Sequence, residues 1–386
     1  LVLVQPEPLL RTMIFNSPLI HPVLDLGAAE PGVRFRAVQQ LVKQLPDPGF
    51  LETLRQNRLT PLLYHTMTQF SREEVGEVPL LEALRRDYLA NLRRYRIQDE
   101  ETHLLATLLM GSDVEAILLK GEDVCHRLYD DPVCRPMGDV DVLISPADLE
   151  KVRTVLKREG YRLLSRDLDR ISNFNRRFVW EELYASPREE WVYFDLHWEI
   201  RKMGAFYRLP YAALREKAMS WAKQGDPLLV LSPEHLLMNL CLNTLEEWEE
   251  AGIQKIADLD RSLTRLPLDW DSFLTDAEAF HIQGAVGFII REMAALRPAA
   301  VPRFVLEKLA AYRPAWLEGL ILQRKAGSLL WASLANLWRH IPLQEWPAFL
   351  KGKFWPDDTF ITANVETFGS RIGYLQHLVK RTRDKT

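Results

Sequence analysis

Residues 138–144, Gly138-Asp139-Val140-Asp141-Val142-Leu143-Ile144, set two carboxylates two positions apart inside an apolar, β-branched run. Valine and isoleucine at that density predict a strand. Side chains alternate faces along a strand, so Asp139 and Asp141 share one face while Val140 and Val142 take the other. Two carboxylates side by side repel, and a purely structural strand gains nothing from them. A divalent cation removes the repulsion, because hard ions such as Mg²⁺ bind through one or two carboxylates plus substrate phosphates.

A second acidic strand is predicted at Trp191-Val192-Tyr193-Phe194-Asp195-Leu196-His197-Trp198, where Asp195 interrupts an aromatic and apolar run. If the two strands are neighbours, Asp195 joins Asp139 and Asp141 to make a three-carboxylate site, enough acid for two metal ions. Upstream, Val114 to Gly121 reads as a strand ending in glycine, and Glu122 to Tyr129 has the spacing of a short helix. A glycine at such a turn lets backbone approach a ligand, and the helix start offers free N–H groups to phosphate.

In this order the residues resemble the DNA polymerase β-type nucleotidyltransferase superfamily, and more narrowly its bacterial family of uncharacterised nucleotidyltransferases. The matching pieces are Leu118-Leu119-Lys120-Gly121, Tyr129-Asp130-Asp131-Pro132, Arg135-Pro136-Met137-Gly138-Asp139-Val140-Asp141, the Glu159-Gly160-Tyr161 helix end, and Asp195-Leu196-His197-Trp198. Asp-x-Asp alone is weak evidence; with the Lys-Gly turn, the Arg-Pro-Met lead-in and the later acidic strand it is fairly specific, over roughly residues 111 to 200.

The resemblance implies an α+β fold, a polymerase β-type core with a mixed sheet between helical flanks. It also implies Mg²⁺- or Mn²⁺-dependent transfer of a nucleoside monophosphate from an NTP to an acceptor. Asp139, Asp141 and Asp195 would be the catalytic and metal-binding residues, and Lys120, Gly121, Arg135 and Gly138 would face the nucleotide. Glu122 departs from the superfamily, which carries a small or hydroxyl residue there. Asn243 stands where the family tends to carry histidine. Asp258 matches a family acid, either facing the cleft or forming a buried salt bridge.

The chain has 386 residues, 47% apolar and 26% charged, so it can bury a real core over two or three domains. Lys+Arg 49 against Asp+Glu 53 gives a net charge of −4, without the basic excess of a protein that grips long nucleic acid. Cys125, Cys134 and Cys241 are too few and too scattered for a disulfide framework or structural zinc, and read as reduced, buried thiols. No run of ~18 uncharged apolar residues predicts a membrane span. No basic start with a small-residue cleavage site predicts secretion, so a cytoplasmic location is expected. The chain opens on Leu rather than Met, which leaves room for an earlier start.

Three regions are expected: N-terminal helical (1–110), nucleotidyltransferase core (111–203) and C-terminal helical (204–386). Helical spacing begins near Phe35 and continues at 48–57, 61–70 and 80–109. Ser145-Pro146 reads as an N-cap and first helical position, with the helix ending at Gly160. Residues 165–190 read as a hairpin with a strand at Arg176–Trp180. Ser232 reads as the cap of a helix burying Leu236, Leu237, Leu240 and Cys241. Further helices are expected at 253–266, 270–280, 285–296, 302–311 and 317–338, then an extended tail and a basic helix at 371–383.

His197 shares the face of Asp195 and reads more readily as a hydrogen-bonded structural group than as a catalyst. Lys120 suits either phosphate or a sheet-edge charge. Arg135 suits bidentate phosphate binding or bracing of the acidic loop. Two rivals stand beside the transferase: a regulatory or nucleotide-binding protein that kept the fold and lost the chemistry, suggested by Glu122, and transfer of another group from a nucleotide-activated donor. An NTP and a small-molecule, peptide or protein acceptor are the expected partners, with no long nucleic acid.

Overall fold

The computed structural model of the chain describes residues 17–78, 80–164, 180–202, 206–221, 228–248 and 252–315, with short pieces at 318–319, 322, 343–354, 370 and 372–373. Helices α1 (Ile20–Asp25), α2 (Pro31–Val42), α3 (Pro48–Gln56), α4 (Thr60–Met67), α5 (Arg72–Val75) and the long α6 (Leu81–Gly111) precede the sheet. Proline at the first turn of α2, α3 and α4 fits helix starts, where its missing N–H costs nothing.

The core then runs β1 (Ala116–Leu118), α7 (Glu122–Leu128), β2 (Val140–Ile144), α8 (Leu149–Arg158), β3 (Arg162–Leu163), β4 (Glu181–Ala185) and β5 (Tyr193–His197). A small hairpin of β6 (Ile200–Lys202) and β7 (Tyr207–Leu209) follows, then α9 (Tyr211–Glu216), β8 (Met219–Ser220) and β9 (Leu229–Val230). The rest is helical: α10 (Pro233–Glu246), α11 (Ile253–Arg265), α12 (Trp270–Ala279), α13 (Gln283–Leu296), α14 (Arg303–Ala311) and α15 (Trp346–Phe354).

Among the described residues the main sheet has the order β3-β4-β5-β2-β1-β9-β8 and is mixed, as expected. Strand β2 pairs antiparallel with β1 and parallel with β5, and β1 pairs parallel with β9. The fold is therefore α+β, with helices flanking a mixed sheet. Alternation along the central strands sorts two cores. Ala116, Leu118, Val140, Val142, Ile144, Phe194 and Leu196 pack under α6 and α8 with Leu105, Leu109, Val152 and Trp198. The opposite face gives Ile117, Leu119 and Leu143 to a larger cluster that joins Leu41, Leu54 and Leu63 of the N-terminal helices to Leu236, Ile256 and Ile289 of the C-terminal ones. Asp139, Asp141, Asp195 and His197 fall on that second face by period-two alternation.

Local expectations are met where chemistry is local. Gly160 ends α8 with φ +83°, and the Gly160 and Tyr161 N–H groups donate to Lys157 and Leu156 carbonyls, a Schellman closure. The Ser232 hydroxyl accepts from the His235 N–H at the start of α10. At the start of α8 the expectation is corrected: Ser145 accepts from the Ala147 N–H in a turn, and the helix begins at Leu149, one turn later. Within the hairpin expected over 165–190 a strand is found, but as β4 at Glu181–Ala185 and not up to Trp180; Arg176–Val179 lie outside the described residues, as do the expected helices at 317–338 and 371–383 apart from a few positions. All three cysteines are free and buried. No helix among the described residues is long and apolar enough to cross a membrane.

The core is bolted to α11 by Arg135, whose Nε and terminal nitrogen donate to Asp258 at 2.8–3.0 Å, while the Tyr129 hydroxyl donates to Asp258 Oδ1 at 2.7 Å. Asp258 is buried, so either partner left alone is an uncompensated charge. Arg135→Ala is expected to lower the unfolding free energy by ~3–5 kcal/mol in urea titrations. The double variant Arg135→Met/Asp258→Leu is expected to recover most of that loss, because it removes both charges together.

Candidate functional site

Strands β2 and β5 run in parallel with Asp141 opposite Asp195, and Leu143 opposite His197. Asp141 lies on the central strand of the sheet, buried from both faces, which is a costly place for a charge. Two cations meet it. Lys120 Nζ stands 3.0 Å from Asp141 Oδ1, and His197 Nε2 stands 3.4 Å from the same oxygen and 3.4 Å from Asp195 Oδ2. On its other side His197 Nδ1 is 3.4 Å from Glu181 of β4.

Burial alone would favour a protonated Asp141, but Lys120 and His197 outweigh it and hold this carboxyl well below the usual carboxylate range. Burial also disfavours charge on His197, yet Asp195 and Asp141 lift it to about 9, so it is an imidazolium at neutral pH. Lys120, desolvated but facing Asp141, Asp139 and Asp195, is held above its ordinary value. Asp139, one residue before β2, is pushed upward by burial and then by the charge of Asp141.

Ligand atoms of Asp141, Asp195 and His197 lie within 4.8 Å of one another; Asp139 is not part of that group but is close enough to feel the charges of Asp141, Lys120 and Asp195. One oxygen, Asp141 Oδ2, is buried without a hydrogen-bond partner among the described residues. Three carboxylates with an orphaned oxygen suit a hard divalent cation.

Asp139 and Asp141 line a cleft of about 250 Å³ between the sheet and the helical flanks, while Asp195 and His197 stand behind Asp141, outside its lining. Lys120, Gly121, Arg135, Gly138, Asp139 and Asp141 line its core side. Gly121 has φ +67°, and a Cβ there would sit 3.3 Å from the Asp139 carbonyl, so glycine is needed for both reasons. Asn239 of α10 donates to the Leu119 carbonyl at 3.0 Å, and Gln254 of α11 donates to the Pro136 carbonyl at 3.1 Å, fixing both loops from the helical side. Asn243 lines the cleft with its amide donating to Asn239. Arg135 is at the wall, committed to Asp258.

Glu122 is turned away from the cleft. It is buried against α6, with Oε1 3.7 Å from His126 Nε2 and the Asp99 carboxyl adjacent, while the Tyr95 hydroxyl meets His126 at 2.7 Å. Sequence reasoning did not find Arg58, which lines the cleft from the turn between α3 and α4. Its only trace in sequence is a helix end at Asn57-Arg58 before Thr60-Pro61. Glu181 was missed as well, because the strand of that hairpin was expected to end at Trp180.

Burial raises the Glu122 carboxyl from 4.5 to about 7. Between those values the folded chain holds a proton that the unfolded chain has lost, so this site weakens the fold progressively as pH rises through the window. Glu122→Gln is therefore expected to raise the urea midpoint at pH 8 and to give a smaller gain at pH 5. Equal gains at both values would assign the effect to packing.

No curated protein matches the chain. The family model described as "Uncharacterised nucleotidyltransferase" matches residues 46–297, which takes in α4 and α6, the whole acidic sheet face, and α10 to α13. The chain belongs to the uncharacterised nucleotidyltransferase family.

Proposed function

We propose that the cleft transfers a nucleoside monophosphate from an NTP to a hydroxyl-bearing acceptor, with a polymerase β-type arrangement of acids. The observation that carries this reading is the register of β2 on β5, which sets Asp141 beside Asp195 with one Asp141 oxygen buried and unpartnered. A structural strand has no use for that arrangement, and a phosphate-handling site does.

Asp139, Asp141 and Asp195 are the residues that would hold Mg²⁺ or Mn²⁺, which when bound neutralises phosphate charge and polarises the phosphoryl oxygens. Lys120 then turns from Asp141 toward phosphate oxygen, the role its 3.0 Å ion pair fills in the free protein. Gly121, without a side chain, leaves room for the phosphates against the backbone. The acceptor oxygen attacks the α-phosphorus, the bond from that phosphorus to the bridging oxygen of the β-phosphate breaks, and pyrophosphate leaves. Asp195 receives the acceptor's hydroxyl proton, with His197 holding its carboxylate in place. Arg135 acts by holding the acidic loop on Asp258.

The position of Glu122, buried against α6 and outside the cleft lining, favours this enzyme over a non-catalytic nucleotide binder, since the departure from the superfamily pattern does not reach the phosphates.

Incubation with Mg²⁺ or Mn²⁺, each labelled NTP and cell extract as acceptor source is expected to give labelled product. Asp139→Asn is expected to reduce labelling to background while the thermal midpoint stays the same or rises, because it removes a carboxylate that Asp141 repels. ATP affinity by calorimetry is expected to drop when divalent ions are chelated. Equal affinity with and without them would remove the three acids from the site.

A further inference from the structure

Four basic residues line the cleft among the described residues, and three are neutralised within the protein. Lys120 faces Asp141, Arg135 faces Asp258 and Lys255 faces Glu247. Arg58 has no side-chain hydrogen bond or ion pair among the described residues. Its guanidinium lies over the backbone of Gly138, where a Cβ would be 3.8 Å from it, next to Asp139.

The backbone at Arg58 is also informative. The chain leaves α3 at Asn57, and Arg58 follows with φ 58°, at the left-handed position that usually ends a helix and favours glycine. Its N–H donates to the Arg55 carbonyl at 2.9 Å, and the Leu59 N–H donates to Leu54 at 2.8 Å. Of the described non-glycine residues with positive φ, Arg58 is the one that lines the cleft. The turn is fixed from the far side as well, because the Ile253 N–H at the start of α11 donates to Asn57 Oδ1 at 3.1 Å. Strain held in a turn tied down at both ends is characteristic of a side chain kept for its function.

We propose that Arg58 is the residue that binds the β- and γ-phosphates of the incoming nucleotide, reaching from the N-terminal helices over Gly138. This rests on the transferase reading of the acidic cluster. A planar guanidinium with a free fork recognises phosphate bidentately. Arg135 and Lys255 are bound to carboxylates and Lys120 reaches phosphate only by leaving Asp141, so Arg58 is the cleft cation already free to meet the β- and γ-phosphates. It also makes the N-terminal helices part of the nucleotide site.

The test measures the affinity of the full chain for ATP, ADP, AMP and pyrophosphate, with Mg²⁺, in wild type and in Arg58→Gly and Arg58→Lys. Wild type is expected to bind ATP more tightly than AMP. Arg58→Gly is expected to lose roughly ten- to a hundredfold in ATP affinity, to keep AMP affinity, and to bind pyrophosphate weakly. Its thermal midpoint is expected to stay the same or rise, since glycine accepts φ 58° without strain. Arg58→Lys is expected to fall between the two.

Undiminished ATP affinity in Arg58→Gly overturns the proposal and leaves the transferase reading standing. An equal loss for ATP and AMP also overturns it, assigning Arg58 to the base or sugar. Equal wild-type affinity for ATP and AMP does the same. A wild-type chain that binds no nucleotide overturns both readings.

Discussion

The parallel pairing of β2 with β5 brings Asp141 and Asp195 side by side, and much of the structure around it answers that placement of like charges. Lys120 comes from the end of β1, His197 from two positions along β5, and Glu181 from β4 steadies His197 in turn. His197 and Glu181 reach the acids by alternation along β5 and β4, while Lys120, beyond the end of β1, reaches Asp141 from the turn that leads to Gly121. On β1, β2 and β5 the other face is apolar and seals against α6 and α8, with β4 adding Glu182 ion-paired to Arg153 of α8, and this fixes the register: a slip of β2 by one residue would bury its acids in that core and expose the valines.

The cleft exists because the acidic face is only partly covered. Arg135 and Asp258 hold α11 against the loop that leads into β2, Gln254 and Asn239 add hydrogen bonds to the loops on either side, and the space left between them is the cavity. Charge within it is closely balanced, with cations and carboxylates matched in pairs across the walls. Exposed Arg58 and half-buried Asp139 remain as the ends of that balance, one on the N-terminal helices and the other just before β2. An anionic ligand with a divalent counter-ion would satisfy both.

Much of the site was legible in sequence because strands write their geometry with period two. Asp139 and Asp141 could be placed on one face, and Asp195 in a second strand, from alternation and from the apolar runs that hold them, whereas the pairing of the two strands came only with the structure. Helix ends with specific chemistry, Gly160 and Ser232, were legible for the same reason: a positive φ or a capping hydroxyl acts within a few residues. Ser145-Pro146 misled because the same residue types that cap a helix also close a turn, and Ser145 does the latter. Arg135 carried two readings, and its distance to Asp258, 123 positions away, could not be read from either segment alone.

The sequence by itself determined the strand bearing the paired acids, the later strand bearing the third, the glycine turn between β1 and α7, and the helical character of both flanks, since each follows from short-range periodicity and backbone preference. Only the tertiary structure decided which charges meet. It turned Glu122 into the protein beside Asp99 and His126, gave Arg135 to Asp258, set His197 between two carboxylates, and carried Arg58 to the cleft from a helix end more than sixty positions upstream of Lys120. Such pairings are fixed by the packing of distant elements around a shared core, and local sequence carries no record of them.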